Sequence, residues 1–376
     1  MGGPEIHIGD VGTQSVSIVA ASLNKASGLH LGPVKGANTL KVSGNTVEIV
    51  ASAKNVAKGV DAGKGADVTI GSSNAESVSI AGIKTGESQE GADEQAYGIF
   101  NVNQAQTKVY GKTVNVVAKG AKDTRAIHVA NNTEAQDKSA TLTIVGDEVC
   151  ITAESDDPDH STVGISAMSH GQVHITGNTV VTASDAIVAR GSSVVSINAD
   201  GRHYTQINGN VNFSYDAPTS GTSVDATVVL NLVGPESSWT GNMVVTWNGT
   251  PTNKDEYLSV TGMKLGLSKG AVWTPVETGH DSTTVTLGQK YTALNLLENN
   301  DGVINITDSA IDVTVEKMTG TGGTVNLAAD LTAEEGSQTG RITIDEADAN
   351  SKIDVKLKDA KICLLYTSPS PRDRSV

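Results

Sequence analysis

Aromatic side chains are scarce in this chain of 376 residues: Phe, Trp and Tyr together account for 3% of it. A conventional globular core built around such bulky groups is therefore not expected. Prolines number only 9 and cysteines 2, Cys150 and Cys363. So little thiol excludes a disulfide framework, and Cys150, a residue of buried type, forms no internal bridge. Long apolar runs are also missing, and none reaches the length of a membrane-spanning helix. With 42 acidic residues against 27 Lys plus Arg, the formal net charge is −15 and neither sign forms a block. That balance argues against a nucleic-acid partner and reads as a solubility device. The opening Met1-Gly2-Gly3-Pro4-Glu5 lacks the basic, apolar and small-residue pattern of a secretory signal.

What the chain has in quantity is glycine, 40 residues, set among Val, Ile, Thr, Ser, Asn and Ala. The hydrophobic fraction of 38% is too high for disorder and suits a narrow core of small aliphatic groups. Residues 5–18, EIHIGDVGTQSVSI, align without a gap on residues 67–80, DVTIGSSNAESVSI, at an offset of 62. Turn glycines recur at Gly44, Gly82, Gly111, Gly146 and Gly177, about 33 residues apart on average, the spacing of solenoid repeats. Within each repeat apolar residues alternate with polar ones, as at Val47-Glu48-Ile49, Val68-Thr69-Ile70, Leu142-Thr143-Ile144 and Val195-Ser196-Ile197. A period of two predicts strands with one buried face. Small-residue steps at Gly28-Leu29, Gly59-Val60, Gly98-Ile99, Ala126-Ile127, Gly164-Ile165 and Ala186-Ile187 separate about three short strands per repeat. No repeat buries its apolar face alone, so successive coils must stack. The expected class is all-β, a right-handed single-stranded parallel β-helix, or β-solenoid, with the glycines at corners that demand positive φ.

Three segments are expected. Residues 1–207 carry the repeats of about 33 residues. Residues 208–362 continue the strand rhythm, including 258–260 and 285–287, with all three Trp in this segment. Residues 363–376 begin CLLYTSPSPRD, which resembles the translation of a transposon-type sequencing adapter, so they are expected not to be native.

Gly209-Asn-Val211-Asn-Phe213, Ser237-Ser-Trp239-Thr-Gly241, residues 265–273 (LGLSKGAVW) and residues 294–306 (LNLLENNDGVINI) together resemble the C-terminal half of a pertactin-like autotransporter passenger. Residues 323–357 resemble the segment in which such passengers approach their terminal folding core. The likeness covers roughly residues 187–361, and Gly-Ala-x-Trp is its most specific motif. It implies a Gram-negative protein of type V secretion, displayed at the cell surface or outer membrane, or secreted. Its own outer-membrane β-barrel would follow Lys361. The implied role is a structural scaffold or adhesin-like protein, with ligands on host or neighbouring cells contacted by loops such as 86–96 and 154–163.

A second reading takes the chain as a polysaccharide-degrading enzyme. Gly146-Asp147-Glu148-Val149-Cys150, followed by Ser169-His170-Gly171, resembles polygalacturonase elements. Inverting hydrolysis needs two carboxyl groups about 6.5–9.5 Å apart. Asn132-Thr-Glu134 stands in for the Asn-Thr-Asp element at too short a spacing, and no Arg-Ile-Lys follows in the expected interval. Gly146 also occupies the slot of Gly44, Gly111 and Gly177, which makes it a repeat corner. The acidic loop 154–160, ESDDPDH, lacks the Asp-x-Asp-x-Asp-Gly order of a calcium loop, the 8 His have no metal-ligand spacing, and no serine-hydrolase motif is present. Trp239, Trp247 and Trp273 are assigned to the core rather than to sugar stacking. The expectation is accordingly no catalytic residue, no cofactor and no metal. A phage tail-spike or surface-layer fibre is a third class.

Overall fold

The structure, a computed structural model, describes residues 5–10, 12–32, 38–87, 93–120, 122–131, 139–216, 226–248, 262–276, 291–309, 311–330 and 338–361. The strands expected at 258–260 and 285–287, the Asn132-Thr-Glu134 element, part of the loop 86–96 and the adapter-like residues 363–376 lie outside the described residues. Among the described residues the chain is all β, with 27 strands and no helix.

Alternation accounts for the strands. In Thr46–Ala53, Val47, Ile49, Ala51 and Ala53 are buried while Glu48 is exposed. One buried face needs a partner, and the strands find it in a parallel neighbour about one repeat further on, except the two-residue Gln338–Thr339, which pairs antiparallel with Asp312–Asp330. Ser15–Ser22 pairs with Thr46–Ala53, that strand with Ser77–Lys84, and the next with Thr113–Lys119. A companion series runs through Glu5–Ile8, Asn38–Val42, Ala66–Gly71 and Gln106–Tyr110. Another runs through Lys25–Leu31, Val56–Ala62, Gln95–Val102 and Asp123–Ala130. Three strands thus form a tier, and each tier is hydrogen-bonded to the next. Glu5 pairs with Thr39 and Thr39 with Asp67, so the gapless sequence match at offset 62 spans two tiers in register.

Stacking puts the same slot of every tier in one column. The longest runs Ile18, Ile49, Ile80, Val116, Ile151, Val181, Ile207, Trp239, Trp273, Ile304, Val325, Val355, twelve tiers in all. Its members from Ile49 to Val325 are fully buried, whereas Val355 at one end is 58% exposed. Burying each such side chain contributes roughly 1.5–3 kcal/mol relative to leaving it in water. The strand Thr205–Asp216 runs across residue 207 and pairs with the tiers on both sides. What changes there is the filling. Leu230, Trp239, Met243, Leu265 and Trp273 take core slots that Val and Ile hold earlier, and Phe213 takes one that Ala167 and Ala189 hold.

Trp239 and Trp273 stack with ring centroids 5.1 Å apart and planes 10° from parallel. Each buried indole N–H donates to a carbonyl of the tier before, Trp239 Nε1 to Gly209 O at 3.0 Å and Trp273 Nε1 to Gly241 O at 3.1 Å. Both are core residues, as expected; the side chain of Trp247 lies outside the described residues.

The glycines require correction. Of the five expected at corners, only Gly177 has a positive φ, 133°. Gly82 is no corner at all: it lies inside the strand Ser77–Lys84 and pairs with Ala51 and Ala118. The slot shared by Gly44, Gly111 and Gly146 is held in the intervening tier by Ser72, because Ile70 is the partner of Val42 and Val109. The demanding glycines are those of the small-residue step. A Cβ on Gly28, Gly59, Gly98 or Gly164 would come within 2.6–2.7 Å of the carbonyl oxygen at the same step of the next tier. Close backbone approach, rather than φ, excludes larger residues there.

Gly98→Val is therefore expected to cost about 2–4 kcal/mol by overpacking. Gly111→Val should cost clearly less, since its nearest contacts are 3.2 and 3.3 Å from an added Cβ. Urea titration of both variants checks the order, and equal losses would undo the step assignment.

Candidate functional site

The sequence-derived constellations do not assemble. Ala140 pairs with Gly171 and Glu148 with Asn178, which sets His170 level with Ser139 and leaves Asp147 in the middle of the strand Ala140–Glu154. At about 3.3 Å per residue the regular stretch Ala140–Val145, which lies between their levels, alone spans roughly 17 Å. Glu148 accepts hydrogen bonds from Asn178 Nδ2 at 2.9 Å and from the Tyr204 hydroxyl at 2.7 Å. That phenol is pushed up to about 12, first by its bond to Glu148 and then by burial. This is a corner clasp between tiers. In the acidic loop, Asp157 N donates to Ser155 Oγ, Asp159 N to Asp157 Oδ1, and His160 Nδ1 lies 2.9 Å from Asp157 Oδ2. Asp157 thus serves local turns, Glu154 lies 3.5 Å from Lys119 Nζ of the tier before, and no group of three or more metal-type side chains forms among the described residues. Cys150 is exposed rather than buried, because it sits on an outward slot between Asn115 and Val180.

A different cluster, absent from the sequence reading, forms outside the small-residue step. Around Gly59, Gly98 and Ala126 the chain turns Val60, Ile99 and Ile127 inward, while the residue before the step and the residue immediately after the apolar one stay on the outer side. Two adjacent columns result, Lys58–Tyr97–Arg125 and Asp61–Phe100–His128–Ser166. Although they lie outside the main core, Tyr97 is 4% exposed, His128 8% and Ser166 0%. Phe100 lies between Lys58 Nζ, 3.5 Å from its centroid, and the His128 ring, stacked at 5.2 Å. Tyr97 packs against the Phe100 ring at 5.1 Å and the His128 ring at 5.8 Å, and donates its hydroxyl to Asp123. Asp61 takes His30 Nδ1 at 2.9 Å and Lys58 Nζ at 3.6 Å.

The electrostatics follow from burial and neighbours. Arg125 reaches Asp123 Oδ1 through Nε at 2.7 Å, and its Nη1 lies 3.2 Å from both His128 Nδ1 and Ser166 Oγ. A guanidinium only donates, so His128 Nδ1 is the acceptor and Nε2 carries the proton. Protonating Nδ1 would set two donors against each other in a dry site. The imidazole pKa is accordingly depressed to about 3, chiefly by burial and then by Arg125. Burial likewise lowers Lys58, with Asp61 opposing, and raises Tyr97, with Asp123 reinforcing. What the arrangement does chemically is hold: it locks successive tiers together, and Ser166, 0% exposed, is closed to solvent. Sequence reasoning missed it because His128 and Ser166 stand 38 residues apart and only tier register joins them. The signal was available in the residues flanking each small step.

Comparison with protein-family models, with curated proteins and with solved structures finds no match to the chain.

His128 generates a pH prediction. Its folded pKa lies below the unfolded value of about 6.5, so the folded state binds fewer protons in acid. Stability is full above about pH 6.5 and is lost progressively as pH falls toward 3, at about 1.4 kcal/mol per unit. In urea titrations His128→Gln should flatten that acid decline, and parallel curves for the two proteins would refute the assignment.

Proposed function

We propose that the chain is a right-handed single-stranded parallel β-helix that serves as a surface-displayed passenger of the pertactin-like, type V secreted kind, a structural scaffold with adhesive outer surfaces. The observation that carries this reading is the tier register, in which equivalent stretches of chain pair in parallel from one tier to the next over twelve tiers. Right-handedness is favoured because parallel crossovers within one sheet take that hand almost without exception. A stack of twelve tiers at about 4.8 Å each makes a rod on the order of 60 Å long. Such a rod moves a binding surface away from its anchor, and no tier depends on a distant one.

The separation of Asp147 from His170 along the paired strands weighs against the enzyme reading. The dispersed acidic surface and low cysteine content suit a chain that crosses a membrane unfolded and gains its structure outside. Local pairing between consecutive tiers suits folding that proceeds tier by tier from one end.

Two measurements test the reading. Small-angle scattering should return a rod whose long axis grows with the number of tiers retained. Sequencing the genomic region around this frame should reveal a signal peptide upstream and, downstream, ten-residue alternating strands of an outer-membrane barrel. A trimerisation segment in place of the barrel, or a leaderless cytoplasmic operon, would overturn surface display by this route.

A further inference from the structure

The outer face of the later tiers carries a notch made by one missing side chain. Leu230, Leu232, Leu265, Leu267 and Leu297 point inward and are buried, so Asn231, Gly266 and Glu298 occupy successive outward slots of a single column. With no side chain at Gly266 the column opens into a groove of about 250 Å³, whose rim includes Asp200, Ser268 and Asn300.

Two of its side-chain donors, the Asn231 and Asn300 amides, are already spent on acceptors, and the Ser268 hydroxyl can donate or accept. Asn231 Nδ2 donates to the carbonyls of Asn198 and Ala199 at 3.3 and 3.2 Å, which fixes the amide and turns Oδ1 the other way. That oxygen lies 2.6 Å from where a Cβ on Gly266 would stand, so it aims into the notch. Among the described residues no donor meets it. Across the floor, Glu298 Oε1 accepts from Asn300 Nδ2 at 3.0 Å and leaves its second oxygen open.

Size and charge select the occupant. Asn231 and Glu298 are two tiers apart, about 10 Å between backbones. A hard cation needs six to eight oxygens at about 2.3–2.6 Å, and no single ion bridges walls so far apart. Two carboxylates line the groove, Glu298 and Asp200, the latter with Arg202 Nε 4.0 Å away, and the net negative charge disfavours uronate, sialyl or phosphate groups. A flat ring bearing several hydroxyl donors, each reaching an acceptor at about 2.7–2.8 Å, spans the gap. We propose that the Gly266 notch is a binding subsite for one neutral pyranose unit of a glycan, with hydroxyls donating to Asn231 Oδ1 and Glu298 across a floor of strand backbone. The site goes beyond the passenger reading and stands whether or not the chain is surface-displayed.

Gly266→Thr is the informative variant. Its Cβ meets only the end of the Asn231 side chain closer than 3.4 Å, and the backbone is not in the left-handed region, so folding is retained. The probes are an array of neutral and acidic oligosaccharides, followed by calorimetric titration with the best neutral binder. Binding by the unaltered chain at about 1 mM or tighter, weakened at least about tenfold in Gly266→Thr and in Glu298→Ala with unchanged melting temperature, is the expected result. Preference for acidic sugars, loss of binding in EDTA, binding of an oligolysine peptide in place of sugars, or undiminished affinity in Gly266→Thr would each overturn it. So would an array on which no neutral glycan binds.

Discussion

Backbone hydrogen bonding between consecutive tiers is the constraint on which every other feature depends. It holds equivalent strands about 4.8 Å apart, so a side chain's closest neighbours are its counterparts one tier above and below. A column then works only if each member tolerates contact with its own kind. Val and Ile do so on a pleated surface, which explains a core assembled with few aromatics. The same constraint limits the small-residue step, where the carbonyl of one tier sits in the space a side chain of the previous tier would need.

This dependence also explains how much could be read from residues alone. Alternation located the strands, and the match of residues 5–18 to 67–80 carried the correct register because backbone pairing repeats at that spacing through Thr39 and Thr46. Gly82 shows where such reading fails. It follows an Ile-Ala pair that imitates the corner motif, but its neighbours on both sides are strand interior. Glycine at a corner and glycine under a carbonyl look alike in sequence, and only the position of the next tier distinguishes them. The outer cluster was illegible for a related reason. Lys58, Phe100, His128 and Ser166 come from four different tiers, and no local pattern joins them. Asp147 and His170 are held apart because the strand between their levels is extended.

Inside and outside are governed by the same stacking with different results. Inward columns are uniform, since burial selects aliphatic groups. Outward columns are free to vary, and two local departures give the surface its character. Around Tyr97 and His128, long side chains lean on one another until the outer layer is itself dry, which sets the tautomer of His128 and keeps its charge off. At Gly266 the departure is a side chain left out, and acceptors on either side face the gap. One device adds cohesion between tiers and the other leaves polar atoms without partners.

The indole bonds have a consequence for how such a chain can lengthen. Trp239 needs the carbonyl of Gly209 beneath it, and two residues beyond Trp239 stands Gly241, whose carbonyl serves Trp273 in turn. A tier bearing Trp-Thr-Gly thus brings its own donor and also the acceptor for the tier that follows. Copying that stretch by gene duplication would insert a complete hydrogen-bonding unit without orphaning either partner. After Trp273 the corresponding position is Pro275 and the next tier places Ile304 in the column, a residue with no donor to satisfy. The Trp tiers therefore form a short run with a defined first and last member, extendable in whole units and closed at the end where the indole gives way to an aliphatic chain.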